Sequence, residues 1–164
     1  MIIKTLTNMI NRKFFLVILS LTMLSLCSCE KVEEEPLGIR TPMKWEKTNY
    51  QQTEDNGKQY YVVSPEGGTL KFNCTNYKGL LLERIIDESE MNSLYPNNNM
   101  TTEEMQNVVE SGSFTSDVCD VTIDNSSVEI TFKPNSSESR KINVSVFIRD
   151  IFHTFNFIQD GNQE

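Results

Sequence analysis

The sequence contains a single histidine, His153, and this limits the catalysis that its side chains could perform. A nucleophile that relies on an imidazole base would have to use His153, with Asp150 as the nearest acid along the chain. A lone histidine beside a predicted strand is far more often an ordinary surface or edge residue. The sequence contains no HExxH, no CxxC pair and no glycine-rich phosphate loop. We therefore expect no enzymatic activity, no metal site and no cofactor.

A different chemistry is predicted for the N-terminus. Residues 1–28 contain three basic side chains and no acidic one, and the run from Phe14 to Leu26 is apolar except for small hydroxyl residues. This run is too short for a bilayer, which takes about 20 residues to span, and is typical of a signal peptide. It ends in Leu26-Cys27-Ser28-Cys29, which resembles the lipobox of bacterial lipoproteins. The resemblance implies that residues 1–28 are removed and that Cys29 becomes the lipidated first residue.

Lipidation would hold the protein at a membrane without a transmembrane helix. Each buried CH₂ group of an acyl chain such as palmitate contributes about 0.8 kcal/mol, and several chains together give stable anchoring. The acidic stretch Glu30–Pro36 follows, and we interpret residues 29–42 as a flexible, self-repelling spacer. This stretch also resembles the export signal of Bacteroidetes lipoproteins, which implies display on the surface of the outer membrane. The alternative is an orientation that faces the periplasm.

The charge of the chain argues against a nucleic-acid partner. The 164 residues include 15 Lys or Arg and 23 Asp or Glu, which gives a net charge of −8. Removal of residues 1–28 takes away three basic side chains, so the mature chain has a net charge of −11. Affinity for phosphate needs a basic surface. We expect a small acidic domain that binds no nucleic acid.

Cys74 and Cys119 are the two cysteines that remain after processing. Both fall at inward-facing positions of predicted strands. Outside the cytoplasm they form a candidate disulfide between two sheets, which would close a loop of about 45 residues and add on the order of 4 kcal/mol. The alternative is a pair of reduced thiols that pack as small apolar groups. The sequence leaves both open.

Aromatic residues are the remaining candidates for contact with a ligand, because sugars stack on exposed rings and form hydrogen bonds at their edges. Trp45 is the only tryptophan and has charged neighbours, and Phe152 lies at the tip of the last predicted hairpin. The alternative is that these rings cap the ends of the core. The candidates are Trp45, Tyr50, Tyr77, Tyr95 and Phe152.

The elements that must position these residues are predicted to be strands. From about Met43 onward, apolar residues recur mostly with a period of two, and turn signals such as Ser64–Gly68 separate the runs. The spacing is typical of an all-β antiparallel sandwich of about seven strands. They are predicted at Gln59–Ser64, Thr69–Thr75, Leu80–Ile86, Val118–Asp124, Val128–Phe132, Arg140–Ile148 and His153–Gln159.

One segment has a helical pattern instead. Thr101 and Glu104 have the spacing of a capping box, with Met100 and Met105 at the positions of a hydrophobic staple. Gly112 follows as a stop signal. We predict a short inserted helix at about residues 102–110, preceded by an asparagine-rich loop over Ser93–Asn99.

Several residues of the predicted strands are similar to those of a known family. Arg140 begins an alternating strand, and the last hairpin closes with Gln159-Asp160-Gly161. An earlier hairpin contains the pair Gly67-Gly68. Together they resemble BACON-type domains, which are Ig-like β-sandwich modules common in Bacteroidetes, and the resemblance covers roughly residues 59–161. It implies an Ig-like fold and a glycan-binding role.

These observations combine into one expected organisation. Residues 1–28 are a lipoprotein signal peptide, residues 29–42 an acidic linker and residues 43–164 a β-sandwich domain. We expect a non-catalytic binding or accessory module of the cell envelope, held at the membrane by its lipid and in contact with glycans or glycoproteins. The alternative is an assembly lipoprotein that docks an envelope protein through a strand edge or the inserted helix.

Overall fold

The computed structural model describes residues 40–162. The predicted signal peptide, Cys29 and most of the predicted linker lie outside the described residues. Among the residues that are described, no helix is both long and apolar enough to cross a membrane.

Ten strands and one short helix form the described domain. The strands lie in a six-stranded sheet, in the order β1-β2-β10-β9-β4-β5, and a four-stranded sheet, in the order β3-β8-β7-β6. The predicted all-β sandwich with one inserted helix is confirmed. The strands are β1 Gln52–Asp55, β2 Lys58–Val63, β3 Gly68–Asn73, β4 Leu81–Asp87, β5 Asn92–Tyr95, β6 Ser113–Thr115, β7 Cys119–Asp124, β8 Ser127–Phe132, β9 Arg140–Ile148 and β10 Ile151–Gln159, and the helix α1 spans Thr102–Ser111.

All seven predicted strands are present, and each end lies within two residues of its predicted position. The prediction of about seven strands is too low, because β1, β5 and β6 have only three or four residues each. Such short strands show no clear alternation of apolar and polar residues. The β5 strand occupies part of the stretch that was predicted as a loop. The pairing is antiparallel except between β2 and β10, which run parallel.

The core lies between the inner faces of the two sheets. Ile142, Val144 and Val146 of β9 are fully buried, as their period of two predicted. Phe155 of β10 stacks on Phe72 of the other sheet, with ring centroids 4.3 Å apart. Full burial of such side chains contributes about 1.5–3 kcal/mol each. A slip of one residue would move them to the other face, so the core fixes the register of the strands.

A buried polar network joins the two sheets where the chain leaves β10. The Arg140 guanidinium donates to Gln159 Oε1 from Nε (3.0 Å) and from Nη2 (2.8 Å). The amide of Gln159, which has no exposed surface, donates to the carbonyls of Ser64 (3.0 Å) and Lys133 (2.9 Å). Every polar group of the Gln159 side chain is therefore paired. Gln159 is one of the residues that resemble the BACON-type domains, and in this structure its role is to hold the two sheets together.

Gly161 is required by a close approach of two backbone segments. A Cβ atom at this position would lie 1.7 Å from the carbonyl oxygen of Ser137. Nearby, the buried side chain of Asn135 donates to the carbonyl of Glu138 (2.8 Å). The closing Gln-x-Gly pattern is thus explained by packing at this end of the sandwich.

The first described residues lie at one end of the sandwich, which we call the Arg40 end. The Tyr77 hydroxyl donates to the carbonyl of Thr41 (2.7 Å), and Arg40 forms an ion pair with Asp150. The opposite end, which contains Gln159, is called the Gln159 end. The Arg40 end is formed by residues 40–44, residues 75–79, Asn125 in the β7–β8 turn, and Arg149 and Asp150 in the β9–β10 turn.

Candidate functional site

A cleft of about 380 Å³ lies where one edge of each sheet meets the loop before the helix. The β5 strand is the edge of the six-stranded sheet, β6 is the edge of the four-stranded sheet, and α1 connects them in sequence. This volume falls at the lower end of the range for small-molecule sites, about 300–1,000 Å³. The cleft is lined by Asn92, Ser93, Leu94, Asn97, Asn99, Met100, Phe114, Thr115, Ser116 and Asp117.

The loop wall of the cleft is held by its own side chains. Asn97 donates from Nδ2 to the carbonyl of Leu94 (3.1 Å) and accepts from the backbone N–H of Asn99 (3.0 Å). The Ser93 hydroxyl donates to the carbonyl of Pro96 (2.6 Å). Asparagine and serine favour such turns because their short side chains reach nearby backbone groups. Asn97 therefore builds the wall, while Asn99 remains free to face a ligand.

The helix fixes the end of this loop. The Thr101 hydroxyl accepts from the Glu104 backbone N–H, and the Glu104 carboxylate accepts from the Thr101 backbone N–H, so the predicted capping box is confirmed. These hydrogen bonds lower the pKa of Glu104 below its ordinary value. The buried Val108 attaches α1 to the core, and Gly112 ends it with a φ of 66°. The loop is thus tied at both ends.

The opposite wall follows β6. The Ser116 hydroxyl donates to the carbonyl of Cys119 (2.9 Å) and accepts from the backbone N–H of Val118 (3.2 Å). Lys133 donates to the Ser116 carbonyl and forms an ion pair with Asp120 (3.2 Å). Lys133 is thus already paired with protein groups, and no Lys or Arg lines the cleft.

The floor of the cleft is apolar. Phe114 is almost fully buried and packs on Tyr95, with ring centroids 5.2 Å apart. Leu94 and Met100 are half-buried beside them. Tyr95 is only 4% exposed, and burial raises the pKa of its hydroxyl. Tyr95 therefore packs beneath the floor of the cleft. It does not present its ring to a ligand, which was the role predicted for it.

Unpaired polar groups surround this floor. Within residues 40–162, the side chains of Asn92, Asn99, Thr115 and Asp117 lie exposed at the cleft and form no hydrogen bond or ion pair. An amide offers two donors and an acceptor, a hydroxyl offers both, and a carboxylate accepts. The arrangement suits a ligand with hydroxyl groups at its edges and an apolar face. Sequence reasoning missed this site, since Asn-rich loops are ordinary turn sequences and only the approach of β6 makes a cleft.

A second polar cluster, which we call the charge network, lies on the outer face of the six-stranded sheet. Glu88 Oε1 accepts from Lys58 Nζ (2.7 Å) and from Asn143 Nδ2 (2.5 Å), and Glu88 Oε2 accepts from the Tyr60 hydroxyl (3.3 Å). Burial raises the pKa of Glu88, but hydrogen bonds from Lys58 and Asn143 outweigh it and leave the pKa below its ordinary value. The Glu88 carboxylate is fully paired.

The ring of Tyr60 lies at the centre of the charge network. The ammonium groups of Lys58 and Lys141 lie 5.3 and 5.4 Å from its centroid, within the range of a cation–π interaction. Lys141 also donates to Asp55 (2.5 Å), and this hydrogen bond raises the pKa of Lys141. Two cations and two anions balance each other, so this cluster has no unpaired charge to offer a ligand.

Three of the predicted ligand-contact aromatics cover the core instead. Trp45 is half-buried, with its ring centroid 4.7 Å from that of Phe155. The Tyr50 hydroxyl accepts from the backbone N–H of Lys71 (2.9 Å), which covers part of the free edge of β3. Tyr77 is half-buried and is held by its hydrogen bond to Thr41. The structure therefore places these three rings in packing roles and does not bring them together.

Phe152 is the one predicted aromatic that is well exposed, with 56% of its surface accessible. Its ring stacks on that of the half-buried Phe147 at 5.9 Å, with an angle of 19° between the rings. Both lie on the outer face of the β9–β10 hairpin, next to the Arg40 end. Phe152 lies next to the Arg40 end, whereas Asn92 and Asp117 of the cleft lie toward the Gln159 end, so the two belong to separate surfaces.

Of the two readings that the sequence left open for Cys74 and Cys119, the structure has the reduced thiols, because the two cysteines lie in the same sheet and near its opposite ends. Cys119 pairs with Phe132, which pairs with Gly68 at the start of β3, whereas Cys74 follows the end of β3. At about 3.3 Å per residue, their Cα atoms are roughly 20 Å apart, and a disulfide needs less than about 7 Å. Both are buried free thiols. Burial raises the pKa of Cys119 to about 12, which keeps it protonated and unreactive.

His153 packs among aromatic rings. Its centroid lies 5.0 Å from that of Trp45 and 4.6 Å from that of Phe155. Burial lowers the pKa of His153, so the ring stays neutral near pH 7. Among the described residues, no three His, Cys, Asp or Glu side chains are grouped in a way that could hold a metal ion.

One solved structure is similar to this chain, and the sequence comparisons give no match. No protein-family model and no curated protein matches the sequence. An NMR structure of a protein from Bacteroides thetaiotaomicron is similar over 79% of this chain and 96% of its own length, with 25% sequence identity and a TM-score of 0.56. The likeness to a protein of a Bacteroides species supports a Bacteroidetes-like protein.

Proposed function

We propose that this protein is a lipid-anchored, non-catalytic binding module of the bacterial cell envelope that holds a neutral glycan, free or on a glycoprotein, in the asparagine-lined cleft. The observation that carries the proposal is the group of unpaired amide and carboxylate side chains around an apolar floor. Asn99 and Asp117 stand on opposite walls of this cleft. Their positions are fixed by the turn at Asn97 and the turn at Ser116.

A sugar ring has the chemistry that this cleft is suited to bind. Its hydroxyl groups both donate and accept hydrogen bonds, and its C–H face is apolar. Amides pair with either kind of partner, and Asp117 accepts from a hydroxyl donor. Since the lining contains a carboxylate and no cation, an anionic sugar would be repelled. We therefore propose a neutral glycan as the ligand.

The envelope location rests on the N-terminal sequence. The run from Phe14 to Cys29 has the length, flanking charge and lipobox of a lipoprotein signal. The acidic stretch after Cys29 supports display on the outer surface of the outer membrane. The BACON-like resemblance supports a glycan ligand, and the Bacteroides structural neighbour supports a Bacteroidetes-like protein.

The alternative, docking of an envelope protein, is less favoured at the free edge of β3. The backbone N–H of Glu46 donates to the carbonyl of Asn73 (2.9 Å), and that of Thr75 donates to the carbonyl of Lys44 (2.8 Å). Much of this edge is thus occupied by the chain's own residues, which blocks addition of another strand. The other edge strands, β1, β5 and β6, and the exposed Val109 of α1 remain candidate contacts for such a partner.

The binding proposal is tested with the full acylated protein, purified in detergent, on an array of neutral and anionic oligosaccharides. We expect neutral ligands to bind, and we expect Asn99→Ala or Asp117→Asn to weaken that binding about tenfold. This loss corresponds to one hydrogen bond of about 1.4 kcal/mol. Asn98→Ala is the matched control, because Asn98 is an exposed neighbour in the same loop that does not line the cleft.

Two results would contradict the proposal. One is the absence of any bound oligosaccharide, and the other is binding that Asn99→Ala and Asn98→Ala affect equally.

The anchor is tested separately by labelling cells with radioactive palmitate. We expect label in the wild-type protein and none in Cys29→Ser, and an unlabelled wild-type protein in the soluble fraction would overturn the anchor.

A further inference from the structure

The Arg40 end has a surface chemistry that differs from the rest of this acidic chain. Four exposed cations lie there, on residues 40–44, the 75–79 turn and the β9–β10 turn. Three acids lie beside them: Asp150, which pairs with Arg40, Asp124, and Glu46, which accepts from Asn73. The cations outnumber these acids in a chain with a net charge of −8. The four cations are Arg40, Lys44, Lys78 and Arg149.

An apolar side chain projects beside these cations. Phe152 is 56% exposed and is backed by Phe147. Ile151 and Ile148 are half-buried next to the turn. An exposed aromatic ring next to arginine and lysine side chains is typical of surfaces that contact the boundary between lipid headgroups and acyl chains.

The proposed lipid anchor is joined to the domain at the Arg40 end. The interval from Cys29 to Arg40 spans at most about 40 Å when fully extended, whatever conformation it takes. Arg40 is the point where the domain is connected to the anchor. The tether is therefore long enough for the Arg40 end to reach the bilayer.

We propose that the Arg40 end binds the anionic lipid surface in which Cys29 is anchored, with Phe152 inserted among the headgroups and Lys78 and Arg149 paired with lipid phosphates. This inference rests on the proposed lipid anchor. Lipid contact at this end would restrict the orientation of the domain and turn the opposite, Gln159 end away from the membrane. Asn92 and Asp117 lie toward that end, so the cleft would stay accessible to a ligand outside.

Trp45 provides a reporter for this contact, because it is the only tryptophan and lies at the same end of the sandwich. It bridges to Cys74 and packs on His153, two residues from the β9–β10 turn. The experiment reconstitutes the acylated protein into vesicles of phosphatidylcholine alone or with phosphatidylglycerol, each containing a lipid with a fluorescence quencher near its headgroup. Quenching of Trp45 measures how closely the Arg40 end approaches the lipid.

We expect strong quenching in vesicles that contain phosphatidylglycerol, weak quenching in phosphatidylcholine alone, and loss of most of the quenching in roughly 0.5 M salt, which screens charges. The variant Lys78→Gln/Arg149→Asn/Phe152→Ser should lose most of the quenching as well. Asparagine suits position 149, where φ is 55°. Lys71→Gln, which removes a charge from the middle of β3, is the matched control and should keep the quenching.

Equal quenching in the wild-type protein and the triple variant, or in the two kinds of vesicle, would overturn the lipid contact. Palmitate labelling and glycan binding are measured on the same samples. If both persist in the triple variant while quenching is lost, the lipid contact and the proposed function both hold. If the wild-type protein takes up no palmitate label, the proposed lipid anchor is wrong. The lipid contact rests on that anchor and is then overturned too, by a measurement that is independent of quenching.

Discussion

The charge network and the cleft contain similar side chains but differ in how those side chains are paired. In the charge network, Glu88 accepts three hydrogen bonds and Lys141 is paired with Asp55. In the cleft, Asn99 and Asp117 have no side-chain partner among the described residues. Polar groups that are satisfied within the protein stabilise the fold, while unpaired groups on a fixed scaffold are available to a ligand. The comparison predicts that substitutions in one region change stability and those in the other change binding.

The largest expected loss of stability follows substitution of Gln159, a buried side chain whose polar groups are all paired. Gln159→Leu removes both hydrogen bonds that Oε1 accepts from Arg140 and both that the amide donates to the carbonyls of Ser64 and Lys133. Arg140 Nε is left without an acceptor, while each carbonyl keeps one other donor, from Gly67 or from Arg140. At about 0.5–1.5 kcal/mol for a neutral hydrogen bond and more for one to a charged group, we expect the free energy of unfolding to fall by about 3 kcal/mol or more. Urea denaturation measures this, with the exposed Asn162→Ala as control. A loss as small as that of the control would show that the network contributes nothing.

A smaller loss is expected when the charge network is opened. Glu88→Ala removes the partner of Lys58, Tyr60 and Asn143, and we expect the free energy of unfolding to fall by about 2 kcal/mol. Affinity for a glycan should not change. Glu90→Ala is the matched control, because Glu90 is an exposed carboxylate in the same turn. A loss of glycan binding in Glu88→Ala would mean that the two regions are not separate.

The contribution of Glu88 should also depend on pH. The pKa of Glu88 is held below its ordinary value of 4.5 in the folded protein, so its stabilising effect is complete above that value and is lost as the pH falls through the folded pKa. The difference in unfolding free energy between the wild-type protein and Glu88→Ala should therefore shrink toward acid pH. Urea denaturation at about pH 7 and about pH 3 measures it. A difference that is constant with pH would mean that the carboxylate charge is unimportant.

The smallest effect on stability is expected in the cleft. Asn99→Ala combined with Asp117→Ala removes exposed side chains with no protein partner, so the free energy of unfolding should stay within about 0.5 kcal/mol of the wild-type value. Binding of neutral oligosaccharides should be abolished in the same variant. A clear loss of stability would show that these side chains are structural, and the contrast with the charge network would then fail.

The sequence predicted the fold well wherever one face of a strand is buried. Alternating residues such as Ile142, Val144 and Val146 mark the strand and its inward face together. The helix was predictable because the Thr101–Glu104 capping box and Gly112 act locally. The short β5 and β6 strands were not, since a strand of three or four residues is defined by its neighbours in the sheet and not by its own pattern.

The site was harder to predict, because it depends on which loops meet. Trp45 and Tyr50 were candidate ligand contacts by residue type, but their partners, Phe155 and Lys71, are distant in sequence. The choice between a disulfide and reduced thiols stayed open for a related reason. Inward-facing positions were recognised for Cys74 and Cys119, but the strand order that separates them was not available from the sequence pattern.

The central position of β10 in the larger sheet affects how the domain can be produced. This last strand lies between β2 and β9, so the β1–β2 hairpin joins the rest of its sheet only through β10. During synthesis, β10 emerges after the other nine described strands. The six-stranded sheet therefore closes only after residues 151–159 have emerged, and a chain that stops before residue 151 leaves β1 and β2 with no sheet to join.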